Sequence, residues 1–199
     1  MLKFAEMTNN DGKMRLFIAL PVPDELKRSV SRRLTRMDTR HIPGFRWVTE
    51  ENWHITLVFL GDQKEENVPA ILGAMDETKA VTGGRGIEVI FKKFVYGPPG
   101  RREVRMLWLE TAEETARIIH NVKKILERNL EAAGIAWTKD ERSIGQHITL
   151  ARFPFSPAFR LPPLPGDFSE RFRSAGAELV RSTLTPRGPI YEVLDRIAF

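Results

Sequence analysis

Two copies of one tetrapeptide hold most of the chemistry that this sequence advertises. His54-Ile55-Thr56-Leu57 returns letter for letter as His147-Ile148-Thr149-Leu150, 93 residues later (147 less 54), and takes up two of the four histidines. Residues two apart on a β-strand share a face, so His54 and Thr56 project one way while Ile55, Leu57 and Phe59 project the other. The same alternation sets His147 and Thr149 against Ile148 and Leu150. If the two halves pack about an approximate two-fold axis, both polar faces line one cleft, with an imidazole on either side of a bound group. An unperturbed imidazole titrates near pH 6.5, so one neutral and one protonated copy can coexist close to neutrality. In-line opening of a cyclic phosphate needs that pair, one group to take a proton from the attacking water and one to protonate the leaving oxygen. Threonine hydroxyls two residues away can donate hydrogen bonds to the non-bridging oxygens as charge builds on them.

A single His-x-Thr on a strand is usually a structural pair, since both residues tolerate half-buried strand positions; it is the exact duplication that points to chemistry. Zinc is a poor alternative, because neither strand carries a nearby carboxylate or thiolate to complete three or four ligands. His41 and His120 have no comparable setting. His120 falls on a helical stretch, where it faces solvent or a lobe interface.

The elements that must position the motifs follow from periodicity. Residues 15–20 form an apolar run closed by Pro21 and Pro23, as in a strand leaving a sheet. A helix follows, with Asp24 as its cap, Leu26, Val30, Leu34 and Met37 inward and a row of basic residues outward. Residues 47–60 favour strand, with Gly61-Asp62 as the turn that ends it. Val68, Ile71, Leu72 and Met75 mark a second helix before Gly83, Gly84 and Gly86. Strands over residues 87–96 and 103–110 make a hairpin with a basic tip. Thr111 with Glu114 fits a capping box for a third helix, whose stripe of Ile118, Ile119, Val122, Ile125, Leu126 and Leu130 ends at Gly134. Short strands at residues 135–138 and 147–153, a proline-rich loop over residues 154–165 and two strands within residues 173–199 complete the chain. Strand, helix and strand recur in each half, a rough internal duplication.

Bulk properties fit this picture. The chain has 199 residues, 42% of them apolar and 29% charged, which supports one domain with a real core. We expect residues 1–13 to be a flexible extension unlike a secretory signal, and residues 14–199 to be a single bilobal domain acting as a monomer. No apolar run approaches the roughly 20 residues of a membrane helix, so no membrane partner is expected. The absence of cysteine rules out disulfides and thiol nucleophiles and suits a reducing, cytoplasmic setting. A net charge of +5 favours a phosphorylated or polyanionic partner, although basic clusters commonly serve only as a solvated face.

At this point the sequence resembles the two-histidine phosphoesterases and, within them, the RNA 2′,3′-cyclic phosphodiesterases formerly called 2′-5′ RNA ligases. The resemblance runs from Met14 and rests on Arg15-Leu16-Phe17-Ile18-Ala19-Leu20, Arg46-Trp47-Val48, and the first histidine motif running into Phe59-Leu60-Gly61. It continues in the second motif with Ala151-Arg152, in Ser182-Thr183-Leu184 and in Gly188-Pro189-Ile190-Tyr191. It implies an α+β fold of two lobes, whose duplicated antiparallel sheets surround a central cleft with helices outside. It also implies a reaction without metal or other cofactor, in which RNA ends or nucleotides bearing a 2′,3′-cyclic phosphate become 2′-phosphates. The family's roles carry over as His54 proton donor, His147 proton acceptor, and Thr56 and Thr149 phosphate ligands. Nothing in the spacing tells acid from base.

Arg152 occupies the family's basic position after the second motif, as a contact to phosphate or substrate or simply as an arginine at a strand end. Strict alternation sets it opposite His147, so a bulge or its long side chain is needed to reach the cleft. Trp47, Phe17 and Tyr191 could stack on a base or form core and cleft wall. One departure stands out: the family often has proline before the second histidine, whereas this chain has Gln146 after Ser143-Ile144-Gly145, which implies a different loop shape. Two other functions fit the same residues. One is reversible 2′-5′ joining of RNA ends, and the other a non-catalytic RNA-binding module using the basic surface alone.

Overall fold

The computed structural model describes residues 12–138, 146–186 and 188–198, so most of the N-terminal extension and the loop containing residues 143–145 lie outside the described residues. Nine strands form one antiparallel sheet: β1 (Lys13–Pro21), β2 (Arg46–Trp47), β3 (His54–Lys64), β4 (Ile87–Gly97), β5 (Glu103–Thr111), β6 (His147–Pro157), β7 (Glu170–Ser174), β8 (Gly176–Thr185) and β9 (Gly188–Ala198). Their order is β7-β4-β5-β6-β3-β1-β8-β9, with β2 paired to β6. Four strands stand on each side of the β6–β3 junction. In this two-fold arrangement β3 corresponds to β6 and β1 to β5, so the two histidine strands are the central pair. The expected α+β fold with duplicated sheets is the one observed.

The junction is narrow. β3 and β6 are bridged at Ile55 and Ile148, and farther along β6 the same edge is taken by β2, with Arg46 opposite Arg152 and Trp47 opposite Ala151. The Val48 N–H extends that contact by donating to the Leu150 carbonyl at 2.9 Å. β3 and β6 therefore separate beyond their bridge, and the curled sheet opens a cleft between its halves.

Helices α1 (Asp24–Leu34), α2 (Val68–Thr82) and α3 (Glu113–Ala132) supply the opposite layer. Leu26, Val30 and Leu34 of α1, Ile71 and Met75 of α2, and Ile119, Val122, Leu126 and Leu130 of α3 share one core with Ile55, Leu57, Ile148 and Leu150. Burying each such side chain contributes roughly 1.5–3 kcal/mol, so the apolar face of the histidine strands anchors the polar one.

Local signals were sometimes overridden. Pro23 rather than Asp24 precedes α1, and Asp24 instead pairs with Lys27 at 3.5 Å. Thr111 ends β5 and donates to the Gln146 carbonyl, while Ala112 precedes α3 without a side-chain cap. On α3, Ile118 is 46% exposed, outside the buried stripe. Gly61, at φ 70°, sits inside β3: Leu16 pairs with Gly61 and Phe17 with Phe59, so Leu60 bulges out and the strand continues to Lys64. Residues 135–138 form no strand; Ile135 is buried and the Ala136 carbonyl accepts from Gln63 Nε2. The start of the proline-rich segment is strand, because β6 runs on to Pro157.

Candidate active site

The bridge at Ile55 and Ile148 fixes how the motifs meet. Carrying that antiparallel register one residue each way sets His54 opposite Thr149 and Thr56 opposite His147. The histidines are then diagonal neighbours, a relation that places Cα atoms about 7–8 Å apart across adjacent strands. All four side chains are half-buried, while Ile55 and Ile148 between them are fully buried on the helix side. The structure thus brings His54, Thr56, His147 and Thr149 together on one face.

A bulge falls at the same place in both halves. Ile18 pairs with Val58 but Ala19 with Thr56, leaving Leu57 unpaired; Leu107 pairs with Ala151 but Trp108 with Thr149, leaving Leu150 unpaired. The extra residue reverses the alternation beyond it. Leu57 and Val58 are both buried, as are Leu150 and Ala151, and the next residue in each strand, Phe59 or Arg152, is exposed. Arg152 is therefore returned to the cleft side, the bulge having resolved its parity. Phe59, expected on the apolar face with Ile55 and Leu57, is 55% exposed for the same reason.

His54 is held from several directions. Its Nδ1–H donates to the Asn52 carbonyl at 2.8 Å, and Nε2 lies 3.1 Å from Thr56 Oγ1. A carbonyl can only accept, so the proton sits on Nδ1 and the free lone pair of the neutral ring is on Nε2. Asn52 is tied in turn to β9 by a 3.2 Å bond from Nδ2 to the Pro189 carbonyl. Phe17 lies against the ring at 4.8 Å between centroids and Tyr191 meets it edge-on at 5.4 Å. These rings belong to a small cluster of Phe17, Ala19, Val180 and Tyr191 on the face away from the main core, so Phe17 and Tyr191 are cleft wall.

Burial pushes the proton affinity of His54 below the usual imidazole value; the Asn52 carbonyl opposes this and the positive charge of Arg152 adds to it. The charge of Arg152 also reaches Tyr191, whose hydroxyl burial holds above the usual phenol range. The free protein should thus carry a neutral His54 near pH 7. A bound phosphate would stabilise the imidazolium, so binding takes up a proton and tightens as pH falls toward the free-protein value. Histidine ring NMR in a pH titration should place His54 below about 6.5 in the free protein and higher with a nucleoside 2′-phosphate bound. A ring that titrates at the same pH in both samples contradicts this.

His147 has a different setting. Trp108 of β5 stacks on it with centroids 3.9 Å apart and planes inclined by 18°. The approach to His147 is fixed at Gln146, whose carbonyl accepts from both Thr111 N and Thr111 Oγ1 at 3.0 Å. Proline at that position would offer the same carbonyl, so the departure at Gln146 leaves this anchor intact. Trp47 is 41% exposed and meets Phe45 edge-on at 4.9 Å, Phe45 itself being stacked on Phe153. Asn52 and Trp108 were not singled out by the sequence reasoning; the tryptophan between Leu107 and Leu109 gave only a parity signal. His41 and His120 are exposed. Among the described residues, no three His, Asp or Glu side chains gather into a metal-binding cluster, and no helix is long and apolar enough to cross a membrane.

Known proteins resemble this chain in sequence and in fold. Residues 20–103 match the family described as LigT-like phosphoesterase. A Thermotoga maritima protein named RNA 2′,3′-cyclic phosphodiesterase is 31% identical over 94% of this chain and 96% of its own length, and a Thermus thermophilus protein of the same name is 30% identical over 93% and 90%. The crystal structure of TT0787 from Thermus thermophilus superposes with a TM-score of 0.70, at 30% identity over 93% of this chain and 97% of that one. Escherichia coli LigT complexed with 3′-AMP has the same fold, with a TM-score of 0.70 at 24% identity over 94% and 98%. Two histidine strands meeting at one bridge, in a sheet with these relatives over nearly its whole length, make this chain a member of the LigT-like, two-histidine phosphoesterase family.

Proposed function

We propose that this enzyme is an RNA 2′,3′-cyclic phosphodiesterase that opens the cyclic phosphate to a 2′-phosphate by acid and base catalysis from its own histidines. The observation that carries the reading is the bridge at Ile55 and Ile148, which makes the two His-x-Thr pairs diagonal neighbours on one face. His147 accepts a proton from the attacking water as its oxygen bonds to phosphorus. His54 gives the proton on Nε2 to the departing 3′-oxygen as that P–O bond breaks. The low proton affinity of His54 makes its charged form a strong acid, and the Nδ1 bond to the Asn52 carbonyl keeps Nε2 as the donating atom. Thr56 and Thr149 donate to the non-bridging oxygens and Arg152 offsets their charge.

Placement of the histidines favours an enzyme over a simple RNA-binding module, since phosphate affinity alone is served better by Arg or Lys than by a buried ring of lowered proton affinity. Each nucleoside 2′,3′-cyclic phosphate, incubated with the protein in excess EDTA, should yield the 2′-phosphate isomer, identified by phosphorus NMR. A 3′-phosphate product, or turnover abolished by the chelator, would overturn the reading.

A further inference from the structure

The two motifs are identical in sequence, yet their histidines lie against different surfaces. Near His54, Phe17 is tilted by 34° and Tyr191 stands at 78°. Only Trp108, against His147, lies nearly parallel and in van der Waals contact among these ring pairs. Beside the indole is Gly97 of β4, where an added Cβ would fall 2.6 Å from Cδ2 and Cε3 and 2.7 Å from Cε2. Near-equal distances to three atoms around the ring fusion put that missing side chain over the face of the indole, so Gly97 leaves the gap in which the indole sits. Trp108 is 3% exposed, and its Nε1–H has no hydrogen-bond partner among the described residues. An indole chosen only to fill space would leave that donor stranded at a cost which phenylalanine avoids. The broader, more electron-rich face of the indole is therefore the property the site uses.

We propose that Trp108, seated by the absent side chain of Gly97, is the positioning residue of His147: it fixes the plane of the imidazole and attracts the ring more strongly when that ring is protonated. The indole face carries the negative side of its quadrupole and so favours a cation stacked on it. A base that must accept a proton in the transition state gains from such a surface, whereas His54, which must release one, lies among rings set edge-on or tilted. The indole thereby separates two otherwise equivalent histidines into acceptor and donor. This rests on the roles proposed above for His147 and His54.

Among the described residues, other charges near His147 include its register partner Glu110 on β5, paired with Lys93 of β4 at 3.7 Å, Arg152 on its own strand, Arg46 on β2 opposite Arg152, and His54 on β3. The test therefore compares variants in both the wild-type and Glu110→Gln backgrounds. In Trp108→Leu and Gly97→Ala, the His147 ring followed by NMR should titrate about half a unit lower than in the parent, as expected for loss of a cation–π contact. Trp108→Phe, which keeps an aromatic face and removes the stranded N–H, should lie nearer the parent and preserve the fold should the leucine variant fail to. In Trp108→Leu, kcat should fall roughly tenfold or more, with KM changed about twofold at most. His147 titrating unchanged in both Gly97→Ala and Trp108→Phe or Leu overturns the proposal even if turnover is lost, because the indole would then be packing alone. A parent protein that turns over no cyclic nucleotide but shows the shifted titrations would remove the proposed reaction and leave the inference about the ring standing.

Discussion

Replacing His147 by alanine lowers kcat for a 2′,3′-cyclic nucleotide by roughly 10²–10⁴-fold, the range lost with a positioned proton-transfer group. KM changes only a few-fold, because in the proposed site Thr56, Thr149 and Arg152 would still hold the phosphate. His54→Ala has an effect of the same order, and the double variant is scarcely worse than the poorer single one. In the proposed reaction the two rings serve the two ends of one displacement, and groups that act as a unit do not add. Steady-state kinetics on the three variants decides the matter. A double variant whose loss is the product of the single losses would mean that the histidines act in separate steps. A single variant with near-parental kcat would remove that residue from the chemistry.

Replacing Arg152 by methionine lowers kcat/KM roughly 10–100-fold, as follows from losing hydrogen bonds made by a charged donor. The effect falls mainly on KM if the guanidinium grips the ground-state phosphate. Methionine retains much of the apolar stem, so loss of packing is a smaller part of the change than with alanine. The same variant removes a positive charge that depresses the proton affinity of His54, so His54 titrates at higher pH in the free variant. Lysine at position 152 restores the charge without the planar fork and gives intermediate kinetics. Kinetics within about twofold of the parent, with His54 unmoved, would return Arg152 to the role of an ordinary strand-end residue.

Much of the site was legible because its information is local. The repeated tetrapeptide contains both the chemistry and the alternation that sorts His and Thr from Ile, and the buried isoleucines and half-buried histidines follow that alternation. The order of elements was legible for the same reason, since apolar periodicity reported which face each strand and helix buries. Features that depend on a neighbouring strand were not. Whether Leu57 and Leu150 bulge is decided by their pairing with β1 and β5, so neither the return of Arg152 to the cleft nor the exposure of Phe59 could be read from alternation alone. Gly61 likewise carries the signature of a turn, but the ladder with β1 on either side of it holds it inside a strand. Caps failed for a related reason: Thr111, placed as the cap of α3, is engaged instead by the Gln146 carbonyl, which arrives from 35 residues on.

Telling acid from base was beyond the sequence because the motifs are identical, and a pH–rate profile shares the difficulty. When one proton is divided between two groups, the limbs of the bell belong to the pair rather than to either residue. What differs between the two is their surroundings, burial and Arg152 at His54 and a stacked indole at His147, and the proposed assignment rests on that difference.

Titrating a nucleoside 2′-phosphate into the protein while following both histidine rings by NMR tests most directly whether the two imidazoles close on one phosphorus. One binding event should move the His54 and His147 signals together, along curves that give a single dissociation constant. Movement of one ring with the other still, or two curves with different constants, would contradict a shared phosphate.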